Sequence, residues 1–218
     1  MQLMLERLRR TRGDDGFTLI EMVMSVAIMG IVSATLIGVV FQYLKTTSDT
    51  SARLNESTDQ QFISTYWQND VSSLGRQTFS GSVPLNAAQS VFVDAAGPGG
   101  CGTAVGTVVV AFAWNEFNVN AVDPANAWNT TPHEVAYVTV PAGSRLLLKR
   151  VRCRNGVTSQ PQTVARNLTA KPTIVCDTTC ASPTSPPNRV SMKFIVKDGA
   201  HPDSQGYTTT VSADRRQG

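Results

Sequence analysis

The sequence predicts an α+β fold: a long N-terminal α-helix, apolar in its first half and amphipathic in its second, packed on a C-terminal antiparallel β-sheet. Three observations predict it. An apolar run from Phe17 to about Leu44 is interrupted by a single charge, Glu21. Apolar residues then recur at steps of three and four from Ile63 to Leu74. Beyond them lie β-rich runs bounded by turn residues.

The chain has 218 residues, enough for one domain with a proper core and too few for two large ones. Charged residues make up 16%, below the roughly 25% of ordinary soluble domains. Thr, Ser, Asn, Gly and Pro fill the difference, a mixture suited to an extracellular β-rich fold. The net charge of +3 is modest and demands no acidic partner, although it leaves DNA as one candidate.

Residues 1–16 carry Arg7, Arg9, Arg10 and Arg12, then Gly13-Asp14-Asp15-Gly16, and the apolar run starts abruptly at Phe17. As a helix that run would be roughly 40 Å long, more than the ~30 Å hydrocarbon core of a bilayer requires. The arginines before it and Lys45 after it place the N-terminus in the cytoplasm and the rest outside. A secretory signal has a shorter apolar region followed by a small-residue cleavage site. Here the small residue, Gly16, precedes the run. A plain signal anchor would explain the length but not Glu21, because a carboxylate inside an apolar helix is costly in lipid and functional by default.

Gly16-Phe17-Thr18-Leu19-Ile20-Glu21, behind a basic leader, resembles the processing signature of type IV pilins and of the pseudopilins of type II secretion. The resemblance covers the leader and the first helix. It implies that a prepilin peptidase cuts after Gly16 on the cytoplasmic side and methylates the new amine of Phe17. It also implies that Glu21 works in filament assembly. The implied partners are other pilin or pseudopilin subunits, the peptidase, an inner-membrane assembly platform, and membrane lipid before assembly. Physics supports the charge pattern independently. An ammonium at Phe17 and the carboxylate of Glu21 would both be buried once helices bundle, so each favours the register that supplies the other.

Gly30 and Gly38 each weaken the helix by about 1 kcal/mol relative to alanine. They either permit close helix packing or mark a stretch that loosens on assembly, and the sequence leaves both open. Past the polar Thr46–Ser51 region, the apolar face is expected to comprise Leu54, Phe62, Ile63, Tyr66, Trp67, Val71 and Leu74. Asp59, Gln60, Gln68, Asn69 and Ser73 would lie opposite, and the helix would end near Gln77. Tyr66 and Trp67 read as core residues at this spacing rather than as a ligand platform.

Residues 78–104 read as an irregular connection with one short strand at Ser90–Val93. Strands are expected at Thr107–Trp114, at Glu134–Val140 and Arg145–Cys153 as a hairpin, and at Thr173–Cys176. A last hairpin joins Arg189–Lys197 to Tyr207–Ala213. The expected organisation is a leader at 1–16, a membrane and filament-core helix at 17–44, an amphipathic half at 45–77, and a β-rich extracytoplasmic head at 78–218.

Cys101, Cys153, Cys176 and Cys180 all follow the apolar run, which fits an oxidising compartment and up to two disulfides. Three pairings exist. Cys176 and Cys180 are close enough to close a small loop, which would leave Cys101 to Cys153. Paired Cys-x-x-Cys knuckles are missing, and neither His133 nor His201 lies near a cysteine in sequence, so no metal site is expected.

No catalytic constellation and no cofactor motif emerges. The Gly97–Gly102 loop lacks the Lys-Ser or Lys-Thr of a phosphate cradle. The Asp198–Gly206 loop lacks the ligand pattern of an EF-hand and reads as a plain hairpin loop. His133 and His201 read as surface loop residues. Arg150, Arg152 and Arg154 alternate along one strand and read as a solvated face, with DNA phosphate contact as the rival. The expected function is a structural subunit of a filament, a minor pilin or pseudopilin. The alternative is a tip subunit whose head contacts a surface, DNA or a secreted substrate. Leu146-Leu147-Leu148-Lys149-Arg150-Val151 faintly resembles a strand of the J-type minor pseudopilins.

Overall fold

The computed structural model describes residues 16–80, 83–117, 120, 122, 130–198 and 206–216. The basic leader and most of the Asp198–Gly206 loop, His201 included, lie outside the described residues. Two compact units are present, one ending at Thr47 and the other starting at Ser48.

Helix α1 spans Leu19–Ser72. In the first unit it continues through Gly30 and Gly38, neither of which has another group within contact distance of its missing side chain. In the second unit its last turns carry Ile63, Trp67 and Val71, all fully buried. The expected face was partly wrong. Leu54 and Phe62 are 63% and 53% exposed, and the buried positions before Ile63 are Ala52 and Glu56. Ala52, Glu56, Ile63, Trp67 and Val71 follow the helical period; Leu54 and Phe62 lie off that line. The helix also ends some five residues before the expected stop at Gln77. Its last turn tightens, with the Ser73 N–H donating to the Asp70 carbonyl and the Leu74 N–H to the Val71 carbonyl, and Gly75, at φ +149°, takes the chain out of the helical region.

The expected short strand near Ser90–Val93 and the irregular stretch after it are present, but before them the chain forms two strands that were not expected. β1 (Arg76–Ser80) and β2 (Val83–Ala88) pair as an antiparallel two-stranded sheet. The remaining strands are β3 (Val91–Val93), β4 (Thr107–Phe117), β5 (Thr130–Ala142), β6 (Arg145–Arg154), β7 (Val157–Thr158), β8 (Gln162–Leu168), β9 (Thr173–Cys176), β10 (Arg189–Val196) and β11 (Tyr207–Asp214). They form one antiparallel sheet in the order β11-β10-β8-β6-β5-β4-β3, with β7 on β6 and β9 on β10. β8 joins β10 through the single pair Leu168 and Val196, while β9 continues alongside β10. The two expected hairpins, β5–β6 and β10–β11, are both formed. β7 and β8 were not expected. The β6–β7 hairpin turns at Asn155-Gly156, both at positive φ, as a tight two-residue hairpin requires.

The sheet buries one face only at β10 and β11, whereas its middle, β4 to β6, is covered on both faces. On one, Trp67 packs edge-on to Phe112 and Tyr137, with centroids 5.1 and 5.2 Å away. Its indole N–H donates to the Val190 carbonyl at 3.0 Å, so the largest core side chain also leaves no polar atom unpaired. On the other face Cys101, Ala111, Ala136, Val138, Val151 and Cys153 form a second cluster beneath the Gly-rich loop. A side chain on Gly102 would lie 2.8 Å from both Ala136 Cβ and Val138 Cγ1. The loop's glycines therefore serve close packing on the sheet, a role that composition alone does not reveal.

Candidate functional site

The first unit presents its chemistry where the helix begins. Gly16, Phe17 and Thr18 precede the first helical residue, Leu19, and nothing lies within 4 Å of where a Gly16 side chain would be. Thr18 is the N-cap. Its Oγ1 accepts the Glu21 N–H at 3.3 Å, and a Glu21 carboxylate oxygen lies 3.5 Å from the same hydroxyl. The Thr-x-x-Glu spacing is that of a capping box, of which the threonine half is formed. A carboxylate is also favoured at this end by the helix dipole. Gly16, Phe17 and Glu21 thus sit together at one helix terminus, the first two in open chain and the third in the first turn.

From Leu19 to Leu44 the apolar side chains are exposed on every side of the helix, Leu19 by 83% and Val32, the least, by 50%. The helix is long and apolar enough to cross a membrane. Glu21 is the lone charge between Phe17 and Leu44. A helix apolar all round is stable only where lipid or other helices surround it.

In the second unit, Asp70 is buried at the end of α1. It receives Arg150 Nε at 2.7 Å, Arg150 Nη2 at 2.5 Å and the Tyr137 hydroxyl at 2.7 Å. Arg150 is 6% exposed and its guanidinium carbon lies 4.9 Å above the Tyr66 ring. Burial alone would lower the arginine's pKa, but the hydrogen bonds and charge of Asp70 more than offset this and hold it raised. Burial, then the charge of Asp70, pushes the Tyr137 phenol well above its ordinary value. Arg150 is therefore no part of a solvated face. The expectation failed because its partner is contributed from 80 residues away.

Arg152 and Arg154 follow on the same strand face and are exposed. With Tyr66, Glu116, His133, Arg150, Ser159 and Gln162 they line an open cleft of about 670 Å³. His133 is not in a loop, as expected, but buried on β5. Its ring stacks on Trp114 at 5.5 Å, and its Nε2 lies 2.7 Å from a Glu116 oxygen, off the line of a hydrogen bond. Among the described residues no group of three or more acidic, His or Cys side chains could hold a metal ion.

The cysteines pair as Cys101–Cys153 and Cys176–Cys180. The first bond staples the Gly-rich loop to β6. Glu134, buried beneath the loop, accepts the Gly99 and Cys101 N–H groups at 2.5 and 3.3 Å. Sequence reasoning missed Asp70 and Glu134. Asp70 left a signal, standing three residues after Trp67 among the apolar positions from Ile63 to Leu74. Glu134 left none, since its partners are backbone amides of a distant loop.

Residues 11–37 match the family model described as the prokaryotic N-terminal methylation motif. Comparison with curated proteins and with solved structures finds no match.

Proposed function

We propose, from the premise that residues 11–37 carry the N-terminal signal of type IV pilins and pseudopilins, that the chain is a filament subunit cut after Gly16 and methylated on Phe17. The observation that carries this reading is Glu21, a lone carboxylate in the first turn of a helix apolar on every side. Before assembly the helix lies in lipid as a single span, with the head on the extracytoplasmic side. A charge at the centre of such a span costs about 2.5–3.5 kcal/mol on insertion scales, and less near the interface, where a first-turn residue sits. After assembly, neighbouring helices replace lipid around the apolar surface. The Phe17 ammonium of one subunit then meets Glu21 of the next, and the pair selects one stagger among the many that an apolar bundle alone would tolerate.

The Thr18 cap sharpens this account. Its hydroxyl lies 3.5 Å from the Glu21 carboxylate, which favours a position of that carboxylate at the helix end, where a neighbouring subunit's amine would meet it. The large head and the Leu- and Arg-rich β6 favour a minor subunit, a minor pilin or pseudopilin, over a major one. The peptidase and an inner-membrane assembly platform would be its other partners.

The test is Glu21→Val in cells with an active peptidase. Cleavage should remain largely intact while the sheared filament fraction containing the chain falls about tenfold or more, the loss expected for a missing buried charge partner. Normal assembly of the variant would sink the charge-pair argument.

A further inference from the structure

The geometry points to the cleft at the end of α1 as a docking site for an acidic peptide segment of another protein, received by Arg152 and Arg154. Both side chains stand on the face of β6 that also carries Arg150. Alternate residues of a strand are about 6.7 Å apart, so the three arginines leave β6 at even intervals along one face. The first position of that row already shows what it takes. Asp70 occupies Arg150 with a two-pronged carboxylate contact. Helix α1 ends at Ser72 and supplies no carboxylate for the next two positions. Among the described residues, neither Arg152 nor Arg154 makes an ion pair.

The floor of the cleft is tied together by backbone hydrogen bonds. Arg152 is backed by the residue that follows β7, since its carbonyl accepts both the N–H and the hydroxyl of Ser159, at 2.8 and 2.9 Å. Arg154 pairs with Val157 across the Asn155-Gly156 turn. Ser159, Gln160 and Gln162 add uncharged donors and acceptors along one side, and Tyr66 adds an apolar surface. Glu116 stands on the opposite wall beside His133, so carboxylates would seat on the β6–β7 side. An extended peptide with acidic residues at every second position repeats at the same spacing as the row. A guanidinium fork matches a carboxylate with two parallel hydrogen bonds, which adds geometric selection to charge. Among the described residues the cleft offers an incoming chain no aromatic row on which successive bases could stack, which disfavours single-stranded nucleic acid. The inference stands independently of filament assembly.

The experiment measures fluorescence anisotropy of a labelled synthetic peptide of alternating Asp and Ser, titrated with the full chain in detergent micelles at low salt. The peptide should bind, binding should weaken as salt rises, and its Asn/Ser counterpart should bind far less. Arg152→Gln together with Arg154→Gln should weaken binding about tenfold or more, since two charge-assisted contacts are lost. Lys193→Gln, exposed on β10 and away from the cleft lining, should leave it unchanged. Both arginines are exposed, and an unchanged near-ultraviolet circular dichroism spectrum shows that the double variant folds. Failure to bind, binding insensitive to the double variant, or tighter binding of an equally charged single-stranded oligonucleotide through the same arginines would each overturn the proposal.

Discussion

Arg150 in the sheet and Asp70 at the end of the helix hold one another through two hydrogen bonds, at 2.7 and 2.5 Å, inside the core of the head. The contact is buried on both sides, and Tyr137 completes the carboxylate's shell. A buried ion pair of this kind adds little net stability over apolar packing, yet removing one partner leaves the other uncompensated. Its structural consequence is registry: only one axial position of α1 on β5 and β6 satisfies all three groups.

Asp70→Ala should therefore destabilise the head by about 3–5 kcal/mol. The midpoint of urea unfolding measures it. Replacing the set together, as Asp70→Leu with Arg150→Met and Tyr137→Phe, should cost much less than the single change. Equal losses for the single and the triple variant would show that packing, not the orphaned charge, sets the cost.

Tyr137 gives the head an alkaline limit. Its folded pKa is raised, first by burial and then by Asp70, above an unfolded value near 10. As pH climbs past that unfolded value, the unfolded chain releases the proton while the folded chain keeps it. Stability that is complete below about pH 10 is then lost with further rise. Urea midpoints followed from neutral to strongly alkaline pH should fall, and Tyr137→Phe should flatten that fall.

Gly102→Ala should cost about 1–3 kcal/mol by overpacking, with added strain from its φ of +84°. The new methyl would strike Ala136 and Val138, and the loop carrying Cys101 would have to lift from the sheet. Differential scanning calorimetry of the full chain would report it as a lower melting temperature of the head transition.

The two disulfides should differ in worth. Loop-closure entropy gives about 4 kcal/mol for the 52-residue separation of Cys101 and Cys153 and about 2 kcal/mol for the 4-residue separation of Cys176 and Cys180. Paired Cys→Ala variants compared by urea unfolding check the order. A larger loss from the short loop would contradict it.

What the sequence made legible was whatever a local pattern encodes. The apolar run with Glu21, the three-and-four spacing around Trp67, and the turn at Pro141-Ala142-Gly143-Ser144 each carry their instruction within a few residues. The β1–β2 pair was hidden because its strands are rich in Gln, Ser, Pro, Asn and Ala, weak strand formers that pairing overrides. β8 was hidden by Gln162, Arg166 and Asn167 for the same reason, although Asn155-Gly156 marked the hairpin before it. The burial of Arg150 and His133 could not be read locally. Arg150 needs Asp70 from the helix, and His133 needs Trp114 and Glu116 from a neighbouring strand.

The central claim is that the chain is processed at Gly16 and Phe17 before it enters a filament. Intact-mass measurement and N-terminal sequencing of the protein recovered from cells with an active prepilin peptidase test it most directly. The account predicts a mature chain beginning at N-methyl-phenylalanine, Phe17. A chain still beginning at Met1 under those conditions would contradict it.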